Sequence, residues 1–447
     1  MSKFQFVIKR TGSVVPFNAE RISNAIYRAA VAVGGRDKEK ADELGQKVIA
    51  VMEETFKEGY KPHIEEIQDI VEKVLIENGH AKVAKEYIIY REEAAKRREA
   101  DSTHFSRPLE NIPWSKIWKS LDWAVAHNLN TIDGINSRIK NGEFPHIVHE
   151  SEAAYETQLD AAAIMIMNRS KDIKMVMVSG PSSSGKTTTT FKLQLRLKKM
   201  GVHFVPLVID NYFFDLELHP KDEFGDYDFE TPHALDLELI NNHLKRLAAG
   251  EEVKIPYYDF KEGKRYLDRT PLRIRENEVL LIDSLHGLYP DFSKEIPASQ
   301  KFKLYLEPLL QMKDANGAYI RWTDIRLIRR MLRDSVHRAY KPEQTLLHWH
   351  YVRSSEKRTI LPYSNTADYI VNTSMSYEIP LYRPRLLSEF AEWVKKYKDD
   401  PLRSDAFVRA QRVTKVLQAI EPVTDDSPVP GESVLREFIG GSTIDIE

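Results

Sequence analysis

The sequence predicts an α/β fold: a parallel sheet flanked by helices, preceded by a small, mostly helical domain that carries a β-hairpin. Three observations predict it. From Ile173 onward, short apolar runs alternate with helical stretches, the pattern of a parallel sheet. The first of those runs leads into Gly180-Pro-Ser-Ser-Ser-Gly185-Lys186-Thr187, and a helix follows at once. The first hundred residues read instead as a hairpin and a set of amphipathic helices.

The chain has 447 residues, which fits two or three domains. Apolar residues make up 42% and charged residues 30%, enough for sizeable cores. The 65 basic and 67 acidic residues leave a formal net charge of −2, so electrostatics gives no case for nucleic acid or membrane as the main partner. Cysteine is absent, which excludes disulfides and thiolate zinc sites and points to a reducing compartment. The opening MSKFQFVIKR lacks the apolar core of a signal peptide, and the longest apolar run, 161–167, is too short to span a bilayer. A soluble, cytoplasmic protein is expected.

Residues 1–100 begin with a strand at 4–8, a turn at Thr11-Gly12-Ser13 and a second strand at Val14-Val15. Asn18 then stands as an N-cap, with Ile22, Ala25, Ile26 and Ala29 on one face of the helix it opens. A second helix starts near Asp37, with Leu44, Val48, Ile49, Met52 and Phe56 as its stripe. Pro62 suits the first turn of a third, which stops at Gly79. A fourth runs from about Ala81 into the charged run 91–98. Residues 101–170 read as a helical connector without a catalytic pattern. Trp114, Trp118 and Trp123 lie near helical spacing and are read as core packing, and 155–167 as a mostly buried helix.

Residues 171–400 carry the sheet: strands at 173–178, 204–209, 278–282, 302–306 and 369–371, and a helix over 187–200. Residues 401–447 hold a helix, a Pro/Asp/Ser-rich stretch at 422–430 and the segment SVLREFIGGS, apolar enough to dock on the core.

The stretch Gly180 to Thr187 fits G-x-x-x-x-G-K-[ST] in its strand–loop–helix setting, which makes the sheet one of P-loop NTPase type. Small side chains at Gly180, Ser182, Ser183, Ser184 and Gly185 let backbone N–H groups wrap a polyphosphate, and the helix N-terminus at Lys186, Thr187 and Thr188 adds its positive dipole end. Lys186 would reach the β/γ-phosphates, and the Thr187 hydroxyl would ligate Mg²⁺. Ligands of open α/β sheets sit at the carboxyl ends of strands. One strand ends in Asp210-Asn-Tyr212, placing a carboxylate to orient an acceptor hydroxyl and take its proton. Another ends in Asp283, a place for an acidic group on the Mg²⁺ shell. Arg326, Arg329, Arg330 and Arg333 fall at i, i+3, i+4 and i+7, so one helix face is guanidinium, suited to closing over a transferring phosphoryl group.

Residues 174 to about 385 resemble the uridine kinase/phosphoribulokinase family of P-loop kinases. The resemblance rests on Gly180–Thr187, Asp210-Asn-Tyr-Phe, Tyr227-Asp-Phe-Glu230-Thr-Pro, Ile255-Pro-Tyr-Tyr258-Asp-Phe260, and the run from Asp324 to Asp334. It implies that Asp210 is the catalytic base, that Glu230, Tyr258, Phe260 and Arg330, with Tyr212, hold the acceptor, and that Arg330 and Arg333 belong to a lid. Two departures remove the family's pyrimidine readers: its histidine is Gly263 here, and its arginine is Tyr340. Such a site should discriminate weakly for the base. The acidic residue of the family's E-G-[IL] is Asp283, followed by Ser284.

The first 90 or so residues resemble the ATP-cone, the regulatory nucleotide-binding module of ribonucleotide reductases. Val7-x-Lys9-Arg10-x-Gly12, Phe17-Asn18-x-x-Arg21-Ile22 and Tyr87-Ile-Ile-Tyr90-Arg91 carry it. Lys9 and Arg10 at a hairpin turn offer two cations to a triphosphate, and Arg21 would close over it. The reading is an ATP- and Mg²⁺-dependent small-molecule kinase acting on a hydroxyl of a nucleoside or related ribosyl or polyol compound, with the ATP-cone binding a regulatory adenine nucleotide. A sugar or sugar-phosphate kinase is the alternative among enzymes. A nucleotide-responsive binding protein is the alternative outside them, and Asp210 argues against it. A homo-oligomer is expected.

Overall fold

Val7 pairs with Val15 across a short antiparallel hairpin, β1 (Phe6–Ile8) and β2 (Val14–Pro16), which buries Val7 in an N-terminal core. The protein is described here from a computed structural model that covers residues 3–8, 14–33, 35, 37–57, 59–88, 112–220, 229–337, 341–400 and 403–444. The chain divides into two units, one built on Met1–Pro108 and the other on Leu109–Pro220, Tyr227–Lys398 and Asp405–Glu447. In the first unit, helices α1 (Glu20–Ala32), α2 (Lys38–Thr55), α3 (Ile64–Glu77) and α4 (81–88) close over the hairpin. Their periodic apolar residues, Ile22, Ile26, Leu44, Val48, Met52, Ile67, Val71 and Val74 among them, form one core. The caps are local: Asn18 Oδ1 accepts the Glu20 N–H at 2.9 Å, and Asp37 Oδ1 accepts that of Lys40 at 2.9 Å.

The second unit is organised by five parallel strands in the order β4 (His203–Val208), β7 (Glu278–Asp283), β3 (Met175–Ser179), β8 (Lys301–Glu307) and β9 (Tyr369–Asn372). Because side chains alternate across a strand, β3 sends Val176 and Val178 into one core and Met175 and Met177 into another. Burial on both faces explains why the central strands β3 and β7 read as near-continuous apolar runs, whereas the edge strands β4 and β9 stay partly exposed. One core lies under α7 (Phe144–Asn168), α8 (Lys186–Lys199) and α12 (Glu378–Tyr397). The other lies under α9 (Leu237–Ala248) and an antiparallel pair, β5 (Val253–Asp259) and β6 (Lys264–Leu272). Sequence periodicity had not announced that pair.

Helices α5 (Trp114–Ala126), α6 (Ile132–Lys140) and α7 belong to the second unit, and Ile132, Ile135, Leu159 and Ile166 share its core. The tryptophans depart from expectation. Trp114 is 54% and Trp118 68% exposed, so only Trp123 packs against the core. The C-terminal segment buries Val434, Leu435 and Phe438 in the same core as α13 (Ser404–Ala419), the last of them within the short α14 (Arg436–Ile439). A proline helps to hold it. Pro384 inside α12 has no N–H for the carbonyl one turn back, and that Pro380 oxygen accepts the Val423 N–H at 3.1 Å instead. None of the described helices is long and apolar enough to cross a membrane.

Candidate active site

The register of the sheet assembles the site. Val178 on β3 stands opposite Asp283 at the end of β7, and Asp283 in turn pairs with Val208 at the end of β4. Asp210 follows within the 3₁₀ turn Ile209–Tyr212. The carboxyl ends that carry the phosphate loop, Asp283 and Asp210 are therefore neighbours. Asp283 has its pKa pushed up to about 6, first by burial and then by Glu437 and Asp210, with Lys186 opposing.

The loop between β3 and α8 is built for a close approach. A Cβ at Gly180 would meet the Leu306 carbonyl oxygen at 2.4 Å. Gly185 has φ +84, and a Cβ there would lie 2.5 Å from Val434 Cγ2. Ser183 also holds a positive φ, 59°, a conformation that costs a non-glycine residue about 1 kcal/mol and clusters at ligand clamps. The Ser183 and Ser184 hydroxyls are buried without a hydrogen-bond partner among the described residues. Lys186 Nζ meanwhile donates to the Gly180 and Pro181 carbonyls at 2.9 and 3.3 Å, and burial lowers its pKa. Thr187 is exposed at the helix start, whereas buried Thr188 donates its hydroxyl to Glu437. Orphaned hydroxyls, first-turn amides and one ammonium together fit an anion of several phosphates.

The arginine face of α10 (Trp322–His337) divides in two. Arg326 and Arg329 are wholly buried and structural. Arg326 makes a bidentate pair with Glu356 on α11 (Pro342–Thr359), at 2.5 and 2.9 Å, and donates to the Ser182 carbonyl at 3.1 Å. Arg329 pairs with Glu378 at 2.7 and 3.1 Å and donates to the Thr373 carbonyl. They brace the loop from behind rather than close over a ligand, contrary to a single guanidinium face. Arg330 and Arg333 stay partly open. Arg330 Nη1 lies 3.2 Å from both Ser182 Oγ and Glu230 Oε1, joining the phosphate loop to Glu230, and Arg333 pairs with Asp334.

Beside Asp210 the proposed acceptor residues meet an aromatic cluster. Tyr258 lies 4.9 Å from Phe260 and 5.6 Å from Phe213, ring centre to ring centre, and Phe213 also contacts His219 and Phe229. Phe260 is 63% exposed and so offers an open ring. Tyr212 is a correction: it is fully buried, its hydroxyl held by His243 Nδ1 at 2.9 Å, and it belongs to the core behind the site. Gly263 has φ +65, and a Cβ there would stand 2.9 Å from Leu216 Cβ. A histidine cannot be seated at this turn without moving Leu216. Tyr340, the other departure, lies outside the described residues.

Two residues of the site escaped sequence reasoning. His286 is buried after β7 with its pKa pushed down to about 3, first by burial and then by Lys186 and His233, so it is neutral beside the loop. Its place three residues after Asp283 was the available signal. Glu437 comes from the far end of the chain, and no local pattern connects it to the loop. In the N-terminal unit, Val7 and Ile22 are core residues, Asn18 is a cap and Arg21 is exposed on α1. Lys9, Arg10 and Arg91 lie outside the described residues.

Residues 175–379 match the Phosphoribulokinase / Uridine kinase family, and residues 5–96 match the ATP cone domain. A uridine kinase of Chloroflexus aurantiacus is 31% identical over 173 residues, 38% of this chain and 73% of the relative. The chain belongs to the phosphoribulokinase/uridine kinase family. Within that family it is also similar to the uridine kinase of Deinococcus deserti, 28% identical over 44% of this chain and 86% of the relative. Uridine-cytidine kinase B of Dictyostelium discoideum is 26% identical over 46% and 76%.

Proposed function

We propose that the protein is an ATP- and Mg²⁺-dependent kinase that transfers the γ-phosphoryl group to a hydroxyl of a nucleoside or a related ribosyl or polyol compound. The observation that carries the proposal is the alignment of three strand ends, with the phosphate loop on β3, Asp283 on β7 and Asp210 after β4. Asp210 takes the proton of the attacking hydroxyl, whose oxygen bonds the γ-phosphorus as the bond to the β–γ bridging oxygen breaks and ADP leaves with that electron pair. Lys186 exchanges its two loop carbonyls for phosphate oxygens. Arg330, already on Ser182, and Arg333 offset the charge that develops in transfer. Thr187 and Asp283 would hold Mg²⁺. Both offer oxygen, the ligand this ion prefers, and neither side chain has a hydrogen bond or ion pair among the described residues. When bound, the ion supplies charge neutralisation at the phosphate oxygens.

A neutral acceptor suits the site better than a sugar phosphate. Arg330 is paired with Glu230 and Arg333 with Asp334, so little cationic surplus is left for a second phosphate. The open aromatic cluster offers ring faces to a planar base without reading its edge. The ATP-cone domain serves as a second, regulatory nucleotide site, and the absence of cysteine suits a reducing cytoplasm. Asp210→Asn tests the mechanism: kcat should fall by roughly 10² or more, in line with general-base contributions, while ATP binding persists. Near-normal turnover would remove Asp210 from the mechanism.

A further inference from the structure

A helix start leaves backbone N–H groups without an intrahelical acceptor. In α8 these belong to Lys186, Thr187 and Thr188, the donors on which a nucleotide phosphate would settle. One of them is already engaged by this chain. Glu437 Oε2 accepts from the Thr188 hydroxyl at 2.9 Å and faces the Thr188 N–H at 3.4 Å. The same carboxylate lies close enough to Lys186 and Asp283 to act on the charge of both.

The segment that presents Glu437 is fixed. Val434, Leu435 and Phe438 are buried, and the Phe438 ring lies under the Arg329 guanidinium at 5.0 Å. Lys192 Nζ donates to the Glu432 carbonyl at 2.9 Å, and Arg436 Nη2 donates to the carbonyls of Asp426 and Val429 at 2.8 Å each. Val434 also fills the space that a side chain at Gly185 would need. The backbone on either side of Glu437 is therefore held against the phosphate loop, and its half-buried side chain is the part able to swing away.

We propose that Glu437 is an internal competitor of the nucleotide: its carboxylate occupies a phosphate donor of the loop, and a nucleoside triphosphate binds by displacing that side chain. This regulation rests on the kinase reading of the same site. Two anions cannot share one N–H and one hydroxyl, so each nucleotide that enters must break a charge-assisted hydrogen bond. The C-terminal segment, through where it fixes Glu437, thereby sets the affinity for the phosphoryl donor.

Calorimetric titration of the full chain with MgATP, and with tripolyphosphate as a probe that has no base, tests the proposal. Glu437→Gln and Glu437→Ala should each tighten binding at the phosphate loop by roughly tenfold or more, the scale of a lost charged hydrogen bond, and lower the KM for ATP. Both should keep the parent melting temperature, because Val434, Leu435 and Phe438 carry the packing. Should the alanine variant lose it, the isosteric glutamine variant still makes the comparison. Unchanged affinity, or weaker binding with a fall in kcat, would overturn the proposal and make Glu437 a wall or a working part of the site. Lys186→Ala separates the two readings. It should abolish phosphate-loop binding in every background, and nucleotide binding indifferent to it would sink the kinase reading together with this one.

Discussion

Asp283 ends a strand between two other strand ends, and its titration records that place. Its folded pKa of about 6 stands above the ordinary 3.8, so the folded state holds the proton over that interval. The stability it contributes is present in full below pH 3.8 and is lost as pH rises through about 6. In the metal-free protein, Asp283→Asn should therefore raise stability at pH 7 relative to the parent by on the order of 2–3 kcal/mol, with the two converging at low pH. Thermal melts across pH 4 to 7 check this, and parallel curves would show that Asp283 is not desolvated. Gly263 acts at the same scale. Its positive φ and its contact with Leu216 exclude the base-reading histidine, so discrimination between uridine and other ribosyl compounds should be weak. A kcat/KM for uridine more than about a thousandfold above every other acceptor would contradict this, since such ratios need dedicated polar contacts.

At the scale of elements, α10 has two jobs on one face. Arg326 and Arg329 anchor it to α11 and α12 through buried carboxylates, while Arg330 reaches Ser182 of the loop and Arg333 lies near enough to Lys186 to act on its charge. Arg326→Met takes the buried guanidinium from Glu307 and Glu356, leaving Glu356 with Arg353 alone, and should destabilise the protein by up to about 3–5 kcal/mol. Arg333→Met should cost less, because Asp334 keeps Arg330 at 3.3 Å. Denaturant midpoints check the pair, and equal losses would mean that both arginines are structural. Sequence periodicity could put all four on one face but could not divide them, because the division depends on Glu356 and Glu378, partners 30 and 49 residues away. The same limit explains the other misses. The central strands β3, β7 and β8 were legible because they are buried on both faces and largely apolar, the edge strands β4 and β9 because their short runs are rich in β-branched and aromatic residues, and the phosphate loop because its chemistry is local. The β5–β6 pair was hidden by the polar, exposed face of β6. Trp114 and Trp118 misled because an apolar residue is not obliged to be inside. Tyr212 misled because a strand-end motif does not say which way a side chain turns. Glu437 was out of reach, since only tertiary packing brings it to Thr188.

At the scale of the whole molecule, two unrelated nucleotide-binding patterns share one chain, the ATP cone domain at 5–96 and the phosphate loop at Gly180–Thr187. Calorimetry should find two adenine nucleotides per chain, and Lys186→Ala should lose one and keep the other. Lys9→Ala with Arg10→Ala should leave phosphate-loop chemistry intact and abolish the response of rate to excess nucleotide. Coupling between the sites should be about 1–3 kcal/mol, the ordinary range of allostery. One nucleotide in the parent and none in Lys186→Ala would leave the N-terminal domain without a nucleotide role. Phosphoryl transfer to a hydroxyl is read from ADP release across nucleosides, pentoses, polyols and their phosphates. Release should rise sharply with at least one neutral ribosyl compound, fall back in Asp210→Asn and vanish in Lys186→Ala. A protein that binds MgATP at the phosphate loop, yet releases ADP no faster with any of these acceptors than with water, would contradict the account.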